Sequence, residues 1–328
     1  MVNVSFDLNI FQVTKNSFET EALALFRFQA EHSPVYRDYI RVLGVDPSKV
    51  DRISAIPFLP IRFFKTHTVA TTGVKPSLLF ESSGTTGTIN SKHWVRDPGL
   101  YEQSFLQGFH QFYGPPEEWC ILGLLPSYME RRHSSLVYMV EELVKRSGHP
   151  ASGFYLYEHE RLAQQLALLE QSAQQTMLFG VTFGLLDFAD QYALNLTHTV
   201  VMETGGMKGR REEWTREQVH GWLKERWGLG AIHSEYGMTE LLSQGYSKGN
   251  GIFYSVPWMR LYVRDEDDPL NIREQGKGVL NIIDMANIYS CAFIGTEDVG
   301  TVYPDGGFEV LGRLDNSDIR GCSLMLSL

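Results

Sequence analysis

From about residue 78 to residue 228, strand-like apolar runs alternate with stretches of helical periodicity, and few architectures accommodate that order. The runs are LLFESS, WCILGLLP, TMLFG and THTVVMETGG. The helical stretches are SSLVYMVEELVKR, HERLAQQLALLEQSAQQ, TFGLLDFADQYAL and EEWTREQVHGWLKERWG. In the second of these, Leu162, Leu166, Leu169 and Ala173 fall on one face, the mark of an amphipathic helix. Such alternation predicts an α/β core, with WCILGLLP as a buried strand. Upstream, residues 16–45 read as helical, whereas IPFLPIRFFKTHTVA is too broken for a long helix. After about residue 250 short strand candidates dominate (GIFYSV, WMRLYVRD, GVLNIID, CAFIGTEDVGTVY, GGFEVLGRL), separated by Gly, Asp and Asn. The expected organisation is an α/β core over residues 1–250 and a β-rich subdomain over 251–328.

Composition narrows the class of function. A chain of 328 residues with 43% hydrophobic content can bury a sizeable core. Its formal charge of −10 disfavours nonspecific contact with nucleic acid or anionic membrane. No apolar run is long enough to predict a membrane span. MVNVSFDLNIF lacks the basic and apolar regions of a signal peptide, and Cys120, Cys291 and Cys322 are odd in number and widely spaced. That pattern suits neither a disulfide framework nor a cysteine-rich zinc site, so a cytoplasmic protein is expected.

FESSGTTGTINSKHWV, residues 80–95, follows an apolar run and offers hydroxyls and flexible backbone with little bulk. Inward-turned N–H groups of such a loop suit a polyphosphate, although Ser/Thr/Gly clusters also make plain surface turns. GxxxxGK[ST] cannot be written on it, and GxSxG, HExxH and a dinucleotide GxGxxG are not found. His159 and Glu160 read as a surface pair, and DEDD at 265–268 as a solvated turn. An acidic protein binding an anion must compensate locally, with a cation, oriented N–H groups or placed Lys and Arg. HSEYGMTE at 233–240 supplies a ring, a hydroxyl and a carboxylate close together, or else a capped helix start. GTEDVG at 295–300 reads as two carboxylates in a turn between strands, and GRLDNSDIRGC at 312–322 alternates Asp with Arg. Singly each is weak, but in this order they are strong.

Taken together these segments resemble the acyl-adenylate-forming superfamily, from about residue 55 to about residue 325. SSGTTG resembles its phosphate loop, YGMTE its nucleotide and magnesium motif, TED its ribose-binding TGD, and GRLDNSDIRG its hinge. METGGMKGR, LPSYMERRHSSLVYMVEEL and IRGCSLM look like acyl-protein synthetases of the LuxE type, with phenylacetate–coenzyme A ligases next nearest. The resemblance implies an adenylating domain that uses ATP and Mg²⁺. Ser83, Thr85 and Thr86, with the backbone of Gly84 and Gly87, would cradle the β- and γ-phosphates. Gly205 and Gly206 would line the adenine, with Tyr236 against its face. Thr239 would contact the α-phosphate, Glu240 would hold Mg²⁺, and Asp298 and Arg313 would bond the ribose hydroxyls. Cys322 would accept the acyl group, against the plainer reading of a small buried residue.

Three departures from the family pattern stand out. Thr88-Ile89-Asn90-Ser91 replace the usual Pro-Lys, so Lys92 receives no phosphate role. Glu297 replaces the Gly of TGD. The sequence stops just past the hinge, so the small C-terminal domain with its catalytic lysine is expected to be lacking. The function implied is activation of a carboxylic acid, fatty by resemblance, with acyl transfer to a protein thiol such as that of a reductase or carrier. An acyl-coenzyme A ligase, an idle ATP- or AMP-binding regulatory module and a phosphate-loop nucleotidase are the alternatives. Aromatic residues of LPIRFFKTH and QGFHQFYG could line an acyl pocket or simply belong to the core.

Overall fold

The apolar runs form the strands that their pattern predicts. The structure, a computed structural model, describes residue 6 and residues 9–73, 75–82, 89–126, 131–205 and 214–314. Gly153–Phe154, Cys120–Leu124, Thr176–Gly180, Thr199–Thr204 and His233–Tyr236 lie side by side in parallel. Gly245–Ser247 and Tyr254–Ser255 extend this sheet antiparallel, giving seven strands. Every residue of Cys120–Leu124 and of Thr176–Gly180 is buried, as strands covered on both faces must be.

Side chains alternate between two cores, following the period of two along each strand. Cys120, Leu122, Leu124, Leu178 and Val201 pack with helices His159–Gln171, Thr182–Gln191 and Arg216–Trp227. Ile121, Met177, Phe179 and Met202 pack instead with helices Pro98–Tyr113 and Ser135–Ser147. The helix ends are locally encoded. Thr215 and Gln218 form a reciprocal capping box, and Gly228 closes the same helix at φ +67°.

The second sheet has six strands, in the order Leu59–Pro60, Phe293–Val302, Gly276–Asp284, Met259–Arg264 and Ile272–Arg273, with Phe308–Arg313 also pairing with Phe293–Val302. One of its strands therefore comes from well before residue 250. Tyr36 stacks on Phe293 at 5.9 Å between centroids, and the Arg260 guanidinium lies 3.9 Å over the Phe18 ring. The two sheets meet where Phe253 N–H donates to the Phe308 carbonyl at 2.7 Å.

Four local expectations need correction. Residues 16–45 are two helices, Phe18–His32 and Pro34–Val42, because Pro34 cannot continue the first and opens the second. Ala173 lies past the end of its helix at Gln171, with φ +52°. Leu78–Glu81 is not part of the parallel sheet; it forms a two-stranded antiparallel ribbon with Lys92–Val95. Glu297 and Asp298 lie inside the strand Phe293–Val302 and not in a turn. Among the described residues, no helix is long and apolar enough to cross a membrane.

Candidate functional site

Tyr236 is the last residue of its strand, and Gly205 directly follows the neighbouring parallel strand at φ +77°. Both thus reach the carboxyl edge of the sheet, where open α/β folds place their ligands. The Tyr236 hydroxyl donates to Asp298 Oδ2 at 2.8 Å. Asp298 faces Arg313 across the antiparallel pairing, and Arg313 Nε donates to its Oδ1 at 2.9 Å. Asp298 is buried, whereas the Arg313 side chain remains 71% exposed. Burial raises the Tyr236 pKa well above the ordinary value, and the Asp298 carboxylate adds to the rise.

Glu240 lies close to this group and is 5% exposed. Burial pushes its pKa up, while the nearby Ser91 side chain and the charges of Arg313 and Lys65 pull it down. Ser91 is also tied to Ser82: its N–H donates to Ser82 Oγ at 2.9 Å, and its carbonyl accepts from Ser82 N–H at 3.1 Å. Ser82 and Ser91 flank the glycine-rich segment on either side. Ser82 and Ser91 are therefore held together by a pair of hydrogen bonds. Lys92 turns instead toward Glu81, its partner across the ribbon, at 3.7 Å.

A set of buried polar side chains fixes the backbone of residues 239–243. His93 Nδ1 donates to the Thr239 carbonyl at 2.8 Å, and Nε2 accepts from the Ser290 hydroxyl at 2.9 Å. Burial lowers the His93 pKa to about 4, so the ring is neutral, and the carbonyl partner places its proton on Nδ1. Asn287 Nδ2 donates to the Glu240 carbonyl at 2.8 Å. Asp284 accepts from the N–H groups of Leu242 at 2.7 Å and Ser243 at 3.0 Å, and from the Ser243 hydroxyl at 2.6 Å. Its pKa is still raised to about 6, because burial outweighs those donors.

The structure brings together Tyr236, Glu240, Asp298 and Arg313, with Gly205 at the adjoining strand end. Thr239 enters through its carbonyl to His93. Ser83, Gly84, Thr85, Thr86, Gly87, Gly206 and Cys322 lie outside the described residues. Sequence reasoning missed Ser91, His93, Asp284, Asn287 and Ser290. An Asp inside the apolar run GVLNIID was a usable signal, since a carboxylate is rarely buried unless several donors meet it. Phe64 and Phe109, from the two aromatic stretches, are fully buried in the core.

Comparison with known proteins bears on the fold. No protein-family model matches the chain, and neither does any curated protein. Among solved structures, it is similar to ATP-bound MatB from Rhodopseudomonas palustris, with a TM-score of 0.55 and 16% identity over 73% of this chain and 48% of that one. It is also similar to a 2-hydroxyisobutyryl-CoA ligase in the postadenylation state, in complex with R3-HIB-AMP. There the TM-score is 0.63 and the identity 12%, over 95% of this chain and 73% of that one. A third is the luciferase-like enzyme of the nonluminescent mealworm Zophobas morio, with a TM-score of 0.51 and 17% identity over 83% and 62% of the two chains. The chain spans about half the length of the first of these. The chain shares its mixed α/β fold with these structures, as the resemblance in sequence led one to expect.

Proposed function

We propose that the protein activates a carboxylic acid with ATP and Mg²⁺, forming an acyl-adenylate and pyrophosphate. One observation carries this reading: the Tyr236–Asp298–Arg313 group lies close to Glu240, and Ser82 and Ser91, which flank the glycine-rich segment in sequence, are bonded to each other nearby. Elements far apart in sequence thus meet in one place, which supports the reading.

The residues fit the nucleotide and its metal. Asp298 is an acceptor, as ribose hydroxyls need, and the exposed Arg313 side chain can turn from it to a ligand. Mg²⁺ commonly takes one or two carboxylates together with substrate phosphates, and Glu240 offers one such carboxylate. Bound there, it would supply charge neutralisation on the phosphates. Tyr236 and Gly205 would flank the adenine, and the Thr239 hydroxyl would reach the α-phosphate, its backbone held by His93. An acid carboxylate oxygen then bonds to the α-phosphorus as the bond to pyrophosphate breaks. Positioning and electrostatic stabilisation suffice, since no general acid or base is required. Acid-dependent ATP–pyrophosphate exchange over a broad panel of acids tests the reading. Tight ATP binding with no exchange for any acid would reject it.

The resemblance of METGGMKGR and IRGCSLM to LuxE-type synthetases supports a finer proposal, a fatty acyl group passed to a protein thiol. The Cys322 thiolate would attack the acyl carbonyl and AMP would leave, after the thiol has lost its proton to solvent. Incubation with ATP and a labelled acid should leave hydroxylamine-labile label that Cys322→Ser abolishes while exchange persists. Label surviving in the variant would move the acceptor to a partner's thiol or to coenzyme A.

A further inference from the structure

Glu235 and Tyr246 face each other across the antiparallel pairing of His233–Tyr236 with Gly245–Ser247. Directly opposed residues present their side chains on the same face, so the two belong to one row, with Thr204 the partner of Glu235 on its other side. This is the face opposite to that of Tyr236. Helix Pro98–Tyr113 covers it, with Phe112 and Tyr113 packed on the Tyr246 ring at 5.0 and 5.6 Å between centroids.

Both polar groups are poorly explained by folding. Tyr246 is 1% exposed, and its hydroxyl is buried without a hydrogen-bond partner. Phe in its place would keep the ring packing and avoid that cost. Glu235 is half-buried, and among the described residues no hydrogen bond reaches its carboxyl. Burial, with the Glu203 charge adding to it, pushes its pKa up to about 8. Its carboxyl folds over Gly237, where a Cβ would collide with Oε1. Glu235 also acts electrostatically on the hydroxyls of both Tyr246 and Tyr101, so the three share one neighbourhood. That neighbourhood directly precedes Tyr236, at the carboxyl edge of the sheet.

We propose that Glu235 and Tyr246 form a polar end of the acid-binding pocket, and that the substrate acid carries a hydroxyl on its chain. The inference rests on the adenylation reading and narrows its substrate. A protonated carboxyl both donates and accepts, and so does a phenol. A hydroxyl also does both, so it satisfies the two together, whereas a plain alkyl chain leaves both unpaired. Sites built to hydrogen-bond a substrate group reject analogues lacking it far more strongly than apolar pockets reject a missing methylene.

The test compares straight-chain acids with their hydroxylated counterparts of equal carbon number, by kcat/KM for pyrophosphate exchange. The wild type should favour the hydroxylated member by roughly 10⁴-fold. Glu235→Leu with Tyr246→Phe should erase or invert that preference, and Glu235→Gln, still a neutral donor and acceptor, should keep it. Should the double variant fail to fold, Tyr246→Phe alone removes only the hydroxyl and should reduce the preference. Plain acids used as well as hydroxylated ones, or a preference untouched by Tyr246→Phe and the double variant, would overturn the inference and leave adenylation standing. No exchange with any acid would remove both.

Discussion

Asp298 and Tyr236 stand on different sheets, and their 2.8 Å hydrogen bond ties the edge of the parallel sheet to the middle of the β-rich one. The other Asp298 oxygen takes Arg313, its cross-strand partner. A single buried carboxylate thus joins two sheets through one oxygen and one of its neighbouring strands through the other.

Tyr236→Phe isolates that tie. Hydrogen bonds to charged groups contribute roughly 1.5–3 kcal/mol, and the variant should lose stability of that order in urea unfolding. Calorimetry should also show weaker AMP binding. An unchanged unfolding midpoint would mean that the bond contributes nothing to joining the sheets.

Glu240→Gln removes a charge with little change of shape. If Glu240 holds Mg²⁺, adenylation should fall on the order of 10²-fold or more, with a shifted magnesium optimum. The protonated wild-type side chain cannot serve either. Because burial raises the pKa of the metal-free carboxyl, Mg²⁺ affinity should weaken on the acid side at higher pH than for an ordinary glutamate. A variant with near wild-type rate and an unaltered optimum would withdraw the metal role.

Asp284→Ala would strip the acceptor from three backbone N–H groups, of Leu242, Ser243 and Ala286, and from the Ser243 hydroxyl. Orphaning so many buried donors should cost roughly 3–5 kcal/mol in denaturant unfolding. A loss below about 1 kcal/mol would show that the segment carrying Glu240 is held by other means.

The Glu235 carboxyl is raised from 4.5 to about 8, so between those values the folded chain keeps a proton that the unfolded chain has released. Its stabilising contribution is whole below the unfolded value and is lost as pH rises through about 8. His93 and His233, lowered to about 4, act in the opposite sense, but only below 6.5. Asp284, raised to about 6, titrates in the same sense as Glu235 but is common to both proteins, so it cancels in the comparison. From pH 6.5 to 8 the wild type should therefore lose roughly 1–2 kcal/mol relative to Glu235→Gln. Parallel stability curves for the two proteins across that window would contradict the assignment.

Local periodicity by itself determined the strands Cys120–Leu124, Thr176–Gly180 and Thr199–Thr204 and the helices between them, because each segment's apolar pattern is set by its own backbone geometry. The resemblance of the short motifs to the acyl-adenylate-forming superfamily implied that Tyr236, Glu240, Asp298 and Arg313 share one site, and the structure brings these four together. Which residues face one another was decided only by the tertiary structure. Asp298 meets Arg313, and Glu235 meets Tyr246, through strand register, and a slip of one residue would turn every side chain to the other face. His93 reaches Thr239 across 146 residues of sequence, and Gln29 donates to the Asn287 carbonyl across 258. The ribbon of Leu78–Glu81 with Lys92–Val95 left the main sheet for the same reason: an apolar run fixes that a strand forms, and long-range packing chooses its partner.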